Sequence, residues 1–186
     1  MDADPRTRQT TLRLPQPDVP RAVEVRRATP TDGEAIGIVH AASWEAAYAP
    51  FFTPDFATRE IASRLTRWHN RVTDETALIL LATLNSRPLA FSWSTPSTER
   101  PGQAEILSFY AHPEGWGTGV APRLMTETLN ALRRTGFSRV HLWTLRDTPQ
   151  SRRFYTKSGF TETGATRPRD FGDGVPLPQV EYDRPC

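Results

Sequence analysis

Residues 114–121 read Glu114-Gly115-Trp116-Gly117-Thr118-Gly119-Val120-Ala121. They lie between an apolar run predicted as a strand, Glu105–Ala111, and an amphipathic run predicted as a helix over 121–135. Small residues let a backbone approach a ligand closely, and free N–H groups at a helix N-terminus favour phosphate oxygens. The stretch therefore predicts a pyrophosphate cradle, although glycines also serve in a tight turn from strand to helix.

The stretch does not match two other phosphate-binding loops. A Walker A loop would continue with Gly-Lys-Ser/Thr, which is not present after these glycines. The stretch is also a poor dinucleotide-binding fingerprint, because three other predicted strands precede it and no acidic residue ends the next strand, 139–144.

Working outward from this unit, hydrophobic periodicity predicts one mixed α/β domain over residues 22–186, in the order β-α-α-β-β-β-α-β-α-β-β. Strands are predicted at 23–26, 77–83, 89–94, 105–111, 140–144, 160–164 and 179–184, and helices at about 34–47, 58–70, 121–135 and 149–158. A capping box formed by Thr31 and Glu34 is expected to start the first helix. The second helix is expected to bury Ile61, Leu65 and Trp68. Residues 1–21 have no apolar period, which predicts a disordered or loosely held tail.

The composition of the 186 residues is typical of a globular domain, with 37% hydrophobic and 24% charged residues. The one cysteine, Cys186, excludes a disulfide within the chain and argues against a cysteine-based zinc site. The histidines are far apart in sequence, so no metal site is predicted. No apolar run approaches the roughly 18 residues that span a bilayer, and the N-terminus lacks the apolar region of a secretory signal. We therefore expect a cytoplasmic protein that does not bind membranes.

The charge is nearly balanced, at +2, and almost all of the base is arginine, since Lys157 is the one lysine. Arginine favours bidentate contacts with phosphates and carboxylates, so the composition suits an anionic ligand. A compositional bias of the source genome explains the arginines equally well. The small net charge argues against DNA binding. A serine hydrolase is disfavoured because the chain has no Gly-x-Ser-x-Gly elbow.

Four motifs, taken together and in order, resemble the GCN5-related N-acetyltransferase (GNAT) superfamily over about residues 23–183. Trp116–Ala121 resembles its Gln/Arg-x-x-Gly-x-Gly/Ala loop, with tryptophan in place of the usual first residue. Glu105–Pro113 resembles its fourth strand, which ends in a hydrophobic triplet, any residue and proline. Arg152–Phe160 resembles its fourth helix, with the Phe-Tyr…Gly-Phe signature, and His40–Tyr48 resembles the first helix of many bacterial members.

The resemblance implies an α/β GNAT fold: a mixed, mostly antiparallel sheet of six to seven strands, flanked by about four helices and splayed between strands 4 and 5. It implies acetyl-CoA as the acyl donor. The residues that it assigns to CoA lie in three places: the loop at Trp116, Gly117, Thr118, Gly119, Val120 and Ala121; the splayed strand at Ser108, Phe109, Tyr110 and Ala111; and the last helix at Thr148 and Arg152. Thr148 takes a place where the family often has asparagine.

Acetyl transfer to an amine needs a base for the amine and an acid for the departing thiolate. By resemblance, the Tyr155 phenol faces the CoA sulfur and is the candidate acid. The alternative is a tyrosine packed between helix and sheet beside Phe154. Glu105 is the candidate base, directly or through water, and the alternative is an exposed strand carboxylate. His112 competes for that role, although a histidine before proline at a strand end is often structural.

The resemblance places the acceptor pocket between the first two helices and the loops 94–102 and 166–178. Trp44, Tyr48 and Trp93 are the candidate lining residues, although a core also uses such aromatics. An aromatic pocket with Glu45 or Glu105 would suit a cationic amine.

We therefore predict an acetyl-CoA-dependent N-acetyltransferase that acts on the primary amine of a small molecule, by direct attack in a ternary complex. Candidate acceptors are an amino acid, a polyamine, an amine antibiotic or a peptide N-terminus. The alternatives are a longer acyl-CoA or an aminoacyl-tRNA as donor, or a non-catalytic CoA-binding module. The family often dimerises, so a homodimer is also considered.

Overall fold

The predicted strands form one sheet in a computed structural model, which describes residues 22–186. The tail predicted at 1–21 lies outside the described residues. The strands are β1 (Val23–Arg27), β2 (Leu78–Leu84), β3 (Arg87–Pro96), β4 (Ala104–Ala111), β5 (Arg139–Leu145), β6 (Thr161–Arg169) and β7 (Leu177–Pro185). The helices are α1 (Gly33–Tyr48), α2 (Pro54–Thr66), α3 (Trp68–Arg71), α4 (Val120–Arg134) and α5 (Pro149–Lys157).

The sheet has the order β1-β2-β3-β4-β5-β7-β6. Every neighbouring pair is antiparallel except β4 and β5, which run parallel. A parallel pair requires a crossover connection, and α4 lies in that connection. The predicted fold class is confirmed, including the number of strands and the mixed, mostly antiparallel pairing.

Helices cover both faces of the sheet, because successive side chains of a strand point to opposite sides. On β2, Ile79 and Leu81 pack with Trp68 in the cluster under α1 and α3, whereas Leu80 joins Leu124 in a cluster under α4. A third cluster packs α4 and α5 against β4, β5 and β7. None of the helices within residues 22–186 combines the length and the apolarity needed to cross a membrane.

The hairpin between β2 and β3 shows why one turn was predictable. Asn85 and Ser86 both have positive φ, 51° and 66°. Two central residues with positive φ are typical of the two-residue turns that match the twist of paired strands, and asparagine tolerates this conformation well. The residues Asn85-Ser86-Arg87-Pro88, between two apolar runs, predict a turn here. The turn is confirmed at Asn85 and Ser86, although β3 begins at Arg87, earlier than the predicted 89.

The predicted capping box at Thr31 and Glu34 is wrong. A short 3-10 turn at Pro30–Asp32 precedes α1, which begins at Gly33. The Asp32 carboxylate accepts the backbone N–H of Thr29 at 2.7 Å and binds both terminal nitrogens of Arg26. The guanidinium holds the pKa of Asp32 well below its usual range. A carboxylate bound to the neighbouring strand therefore fixes the entry to this helix.

The second helix begins at Pro54 rather than at residue 58, because proline suits the first turn of a helix. Its predicted buried face is also wrong. Leu65 is 43% exposed, whereas Arg64 is 4% exposed. Trp68 is buried as predicted, but it lies in α3, after a break at Arg67. The inward face of α2 therefore carries a guanidinium where the apolar pattern predicts leucine.

Candidate active site

The splay between β4 and β5 is the feature that organises the site. The two strands pair only over Ala104–Ile106 and Val140–Leu142. Leu107 is an extra residue in the β3–β4 ladder, since Trp93 pairs with Ser108 and Ser94 pairs with Ile106. After this bulge, β4 keeps its β3 partners up to Ala111 but has no β5 partner within the described residues. An extended ligand arm could take that side of the ladder.

The glycine loop presents free backbone donors at the start of α4. Gly117 and Gly119 have φ of +74° and +91°, and a Cβ on either would meet no atom within 4 Å. Their requirement for glycine is therefore conformational and not steric. Within residues 22–186, the N–H groups of Gly117, Gly119, Val120 and Ala121 donate to no backbone acceptor. Four such donors at a helix N-terminus suit a phosphate group.

Two side chains of the loop form hydrogen bonds that hold its backbone in place. The Trp116 indole Nε1–H donates to the Ala111 carbonyl at 2.9 Å, and its side chain stays 42% exposed. The Thr118 hydroxyl donates to the Gly115 carbonyl at 2.8 Å. The N–H groups at the helix start stay available for a ligand.

The two residues predicted to reach CoA from α5 have partners within the protein. Thr148 is buried, and its hydroxyl donates to the Leu145 carbonyl at 2.7 Å. Arg152 forms an ion pair with Glu162 at 2.8 Å. These contacts fix the start of α5 and its packing on β6. A contact of either side chain with the cofactor stays a prediction.

A cavity of about 410 Å³ lies at the splay, and residues of both β4 and β5 line it. Predicted residues that line it include Tyr48, Trp93, Glu105, Ser108 and Tyr110. The whole lining also comprises His40, Glu60, Arg64, Arg67, Arg71, Ile106, Leu107, Trp143, Thr144, Leu145, Arg167, Arg169, Asp170, Phe171 and Gln179. The first two helices and the 166–178 segment contribute as predicted, whereas the 94–102 loop does not.

Trp44 is not in the lining of this cavity, and its role in substrate binding stays a prediction. It is fully buried, with its ring 5.2 Å from that of Phe52 and 4.1 Å from the Arg64 guanidinium carbon. Trp44 therefore supports the cavity wall from behind. Glu45 is exposed and is also absent from the lining, so Glu105 is the predicted carboxylate that faces the cavity.

Glu105 has the surroundings of a proton acceptor. It is 7% exposed, and burial raises the pKa of its carboxyl, an effect that His141 on the adjacent strand opposes. His141 Nε2 lies 2.7 Å from the Ser97 hydroxyl, and its Nδ1 lies 3.1 Å from a Glu181 oxygen without good hydrogen-bond geometry. A buried polar network thus stands behind Glu105, while the carboxyl itself faces the cavity.

Tyr155 lies at the inner side of α5, where it packs between helix and sheet. Its ring is 5.6 Å from that of Phe154 and 5.9 Å from that of Tyr182. Burial raises the pKa of its phenol, and Tyr110, which lines the cavity, raises that pKa further. The phenol therefore keeps its proton at neutral pH. The geometry is compatible with both readings of Tyr155, as a proton donor and as a packing residue.

Two histidines lie near the site, and the Nδ1 atom of each accepts a hydrogen bond from within the protein. His112 Nδ1 accepts the backbone N–H of Glu114 at 3.2 Å, and His112 is not in the cavity lining. His40 does line the cavity, but its Nδ1 accepts the indole N–H of Trp68 at 2.9 Å, so Nε2 carries the proton. Burial lowers the pKa of His40 to about 2, and three nearby arginines lower it further. His40 is therefore a neutral donor towards the cavity.

Sequence reasoning missed the arginines of this cavity. Arg64, Arg67 and Arg71 are three and four residues apart, the spacing of one helical face, and Arg167 and Arg169 are two apart, the spacing of one strand face. These patterns were visible in the sequence. The periodicity of the apolar residues, on which the predicted helices and strands depend, does not reveal this spacing of the arginines.

Comparisons of the sequence with known proteins match it to acetyltransferases. The model of the acetyltransferase (GNAT) family matches residues 31–160. An uncharacterized N-acetyltransferase of Mycobacterium tuberculosis is 27% identical over 136 residues, which are 72% of this chain and 86% of that protein.

Solved structures share the fold at low sequence identity. The PaiA N-acetyltransferase of Thermoplasma acidophilum, solved with coenzyme A, is 20% identical, with a TM-score of 0.70 over 89% of this chain and 99% of that one. The ribosomal-protein-S18-alanine N-acetyltransferase of Escherichia coli is 15% identical, with a TM-score of 0.60 over 88% and 94% of the two chains.

Proposed function

Because the chain belongs to the acetyltransferase (GNAT) family and is an acyl-CoA-dependent N-acetyltransferase, we propose that it acetylates the primary amine of a small molecule by direct attack in a ternary complex. The acceptor classes are an amino acid, a polyamine, an amine antibiotic or a peptide N-terminus. The observation that carries the proposal is a cavity walled by the splayed strand β4, with the buried Glu105 facing it.

The residues around the splay between β4 and β5 fit acetyl-CoA, the acyl donor. The N–H groups of Gly117, Gly119, Val120 and Ala121 would hold its pyrophosphate. The unpaired side of Ser108–Ala111 would bind the amides of its pantetheine arm, as a further strand would. When bound, acetyl-CoA supplies the thioester carbonyl that an amine attacks.

Two side chains would move the protons. Glu105 accepts a proton from the acceptor amine, directly or through one water, and can do so only above its raised pKa. Tyr155 Oη holds a proton that it can donate to the departing sulfur. In the net reaction a C–N bond forms, a C–S bond breaks, and CoA leaves as the thiol.

The test is thiol release with acetyl-CoA and a panel of primary amines, beside calorimetric titration with acetyl-CoA and octanoyl-CoA. We expect binding that favours acetyl-CoA and turnover of at least one amine. The Tyr155→Phe variant should lose about 100-fold in kcat, in the range of general acid–base catalysis, with its Kd for acetyl-CoA unchanged. An unchanged kcat would remove Tyr155 as the acid, and an absence of acetyl-CoA binding would overturn the proposal.

A further inference from the structure

The acceptor cavity has an excess of positive charge. Its lining contains five arginines, Arg64, Arg67, Arg71, Arg167 and Arg169, against three carboxylates, Glu60, Glu105 and Asp170. We propose that the acceptor amine also carries an oxyanion, a carboxylate or a phosphonate, and that Arg71 and Arg169 bind it with support from Arg64. The proposal rests on the acetyltransferase function proposed above and narrows its substrate class.

Arg64 is a buried cation with an unused donor. Its side chain is 5% exposed, and its Nη1 binds a Glu60 carboxylate oxygen at 2.6 Å. Its Nε–H has no hydrogen-bond partner within the described residues. Burying a charged donor without a partner is costly, and negative charge placed in the cavity would offset part of that cost through space, since the Nε atom itself is closed to a ligand. Since Arg64 lines the cavity, it is placed to contribute to such a site.

Arg71 and Arg169 have free guanidinium groups. Neither forms an ion pair with any carboxylate within residues 22–186. Aromatic rings support both: the Arg71 guanidinium carbon lies 5.0 Å from the Trp93 ring centre, and that of Arg169 lies 5.8 Å from that of Phe171. Each therefore keeps its planar set of N–H donors for a ligand oxyanion.

Most of the other charged residues of the lining have partners within the protein. Glu60 binds Arg64 at 2.6 Å and lies 3.5 Å from Arg67. One Asp170 oxygen accepts the backbone N–H groups of two glycines, at 2.7 and 3.2 Å. Arg167 binds Glu99 at 2.7 Å. Glu60 and Asp170 are thus held by contacts within the protein, whereas Glu105, on the splayed strand, forms no ion pair within the described residues.

This distribution selects an acceptor with two charges. The amine belongs beside Glu105, where β4 diverges from β5, and the oxyanion belongs beside the arginines of α3 and β6. A polyamine or a polycationic antibiotic would place further positive charge against Arg71 and Arg169 and would be repelled. Of the candidate acceptors, an amino acid therefore suits this distribution of charge, whereas a polyamine or a polycationic antibiotic does not.

The test compares four amines that share a phenylethylamine skeleton and differ in the group beside the amine, with spermidine as a polyamine that lacks this skeleton. With saturating acetyl-CoA, kcat/KM would be measured for L-phenylalanine, 1-amino-2-phenylethylphosphonate, L-phenylalaninamide, 2-phenylethylamine and spermidine. We expect one or both of the amines that carry an oxyanion to exceed each amine that lacks one at least 30-fold, and the ratio of the two distinguishes carboxylate from phosphonate. Equal or better turnover of the amines that lack an oxyanion would overturn the oxyanion-bearing acceptor and leave N-acetyl transfer intact.

A binding measurement tests the anion site without turnover. Trp93 lines the cavity beside Arg71, so tryptophan fluorescence would be followed during titration with 3-phenylpropionate and with 3-phenylpropanamide. The wild type should bind only the carboxylate. The Arg71→Gln and Arg169→Gln variants should each weaken that binding at least 10-fold, and Arg71→Lys should keep part of it.

Arg134→Gln is the matched control, because it makes the same change of charge at an exposed position at the end of α4. It should bind 3-phenylpropionate as the wild type does. Binding that is equal in all variants, or absent in the wild type, would overturn the anion site. Calorimetry with acetyl-CoA on the same samples is a separate readout, since its failure would count against the acetyltransferase proposal and not against the arginines.

Discussion

The glycine loop and the acceptor cavity bind ligands through different parts of the chain. The loop is exposed, and its free donors are backbone N–H groups held in place by Gly117 and Gly119. The cavity is walled by side chains from α1, α2, α3 and five strands, and its charge comes from guanidinium and carboxylate groups. The loop should therefore respond to changes in backbone conformation, and the cavity to changes in side-chain charge and helix position.

The largest effect is expected from a charge change in the cavity, Glu105→Gln. The amide cannot accept the amine's proton, so kcat should fall about 10²- to 10⁴-fold. The Kd for acetyl-CoA should not change, because the loop does not depend on this side chain. Steady-state kinetics and calorimetry on the same sample measure both.

The pH dependence separates a base from a passive carboxylate. Burial raises the folded-state pKa of Glu105, so kcat/KM of the wild type should fall as the pH falls through that raised value, and the variant should lack this limb. A raised pKa also means that the folded state binds the proton more tightly, so the charged form costs stability above the unfolded pKa. The variant's free energy of unfolding at pH 8 should therefore be no lower than the wild type's. Wild-type kinetics in Glu105→Gln would remove it as the base.

Gly37→Ala should disturb the cavity through its wall. A Cβ at this position would lie 2.3 Å from the Leu65 carbonyl oxygen, because α1 and α2 meet there backbone to backbone. Alanine gains about 1 kcal/mol of helix propensity, but overpacking costs about 3 kcal/mol, so the net effect should be destabilising. Denaturant unfolding measures it. A shift of α2 also moves Arg64, so the KM for the acceptor should rise while the Kd for acetyl-CoA stays within about 2-fold.

The control for Gly37→Ala is Ala46→Ser, an exposed change on the same helix. It should change the free energy of unfolding by less than about 0.5 kcal/mol. A Gly37→Ala variant as stable as the wild type would contradict the close contact of the two helices.

A glycine lies at each end of α4, and the two glycines form a matched pair that tests the role of the loop. Gly119 and Gly136 have φ of +91° and +95°, and a Cβ on either would meet nothing within 4 Å. Alanine should strain both positions by about 1–2 kcal/mol. Because Gly119 shapes the phosphate-type loop and Gly136 only ends the helix, Gly119→Ala alone should raise the Kd for acetyl-CoA, by at least about 10-fold. Equal values of Kd in the two variants would contradict the loop's assignment.

Much of the fold could be predicted because local chemistry and tertiary structure agree in the sheet. The apolar runs of β2 and β3, the Asn85-Ser86 turn and the amphipathic α4 all formed as expected. The errors lie where contacts between different helices and strands decide. Asp32 starts α1 through a bond to Arg26 on β1, and α2 turns Arg64 inward because Trp44 supports it.

The same difference explains which parts of the site could be predicted. The loop and the splayed strand are local sequence motifs, so their residues could be proposed from the chain alone. The cavity gathers Arg71 from α3, Trp143 from β5 and Arg169 from β6, and only the folded sheet brings them together. The sequence could not place Trp44 for the same reason, since an aromatic residue on α1 can face either the core or the cavity.

The smallest effect is expected from Trp116→Phe, which changes the one bulky side chain of the loop. The change removes the 2.9 Å hydrogen bond to the Ala111 carbonyl, which at an exposed site should cost no more than about 1 kcal/mol of stability. The Kd for acetyl-CoA should change less than about 3-fold, because the N–H groups that face the phosphates keep the conformation set by the glycines.

Trp116→Gln sharpens this prediction, because it restores a residue that is usual for the resembled motif. If the loop works through its backbone, the Gln and Phe variants should have the same Kd for acetyl-CoA, measured by calorimetry at one salt concentration. Weaker binding in both variants would show that the bond to Ala111 holds the loop in its binding conformation. Tighter binding in Trp116→Gln alone would show that a side chain takes part in holding the donor, and the contrast between a backbone site and a side-chain site would then be less complete than the geometry indicates.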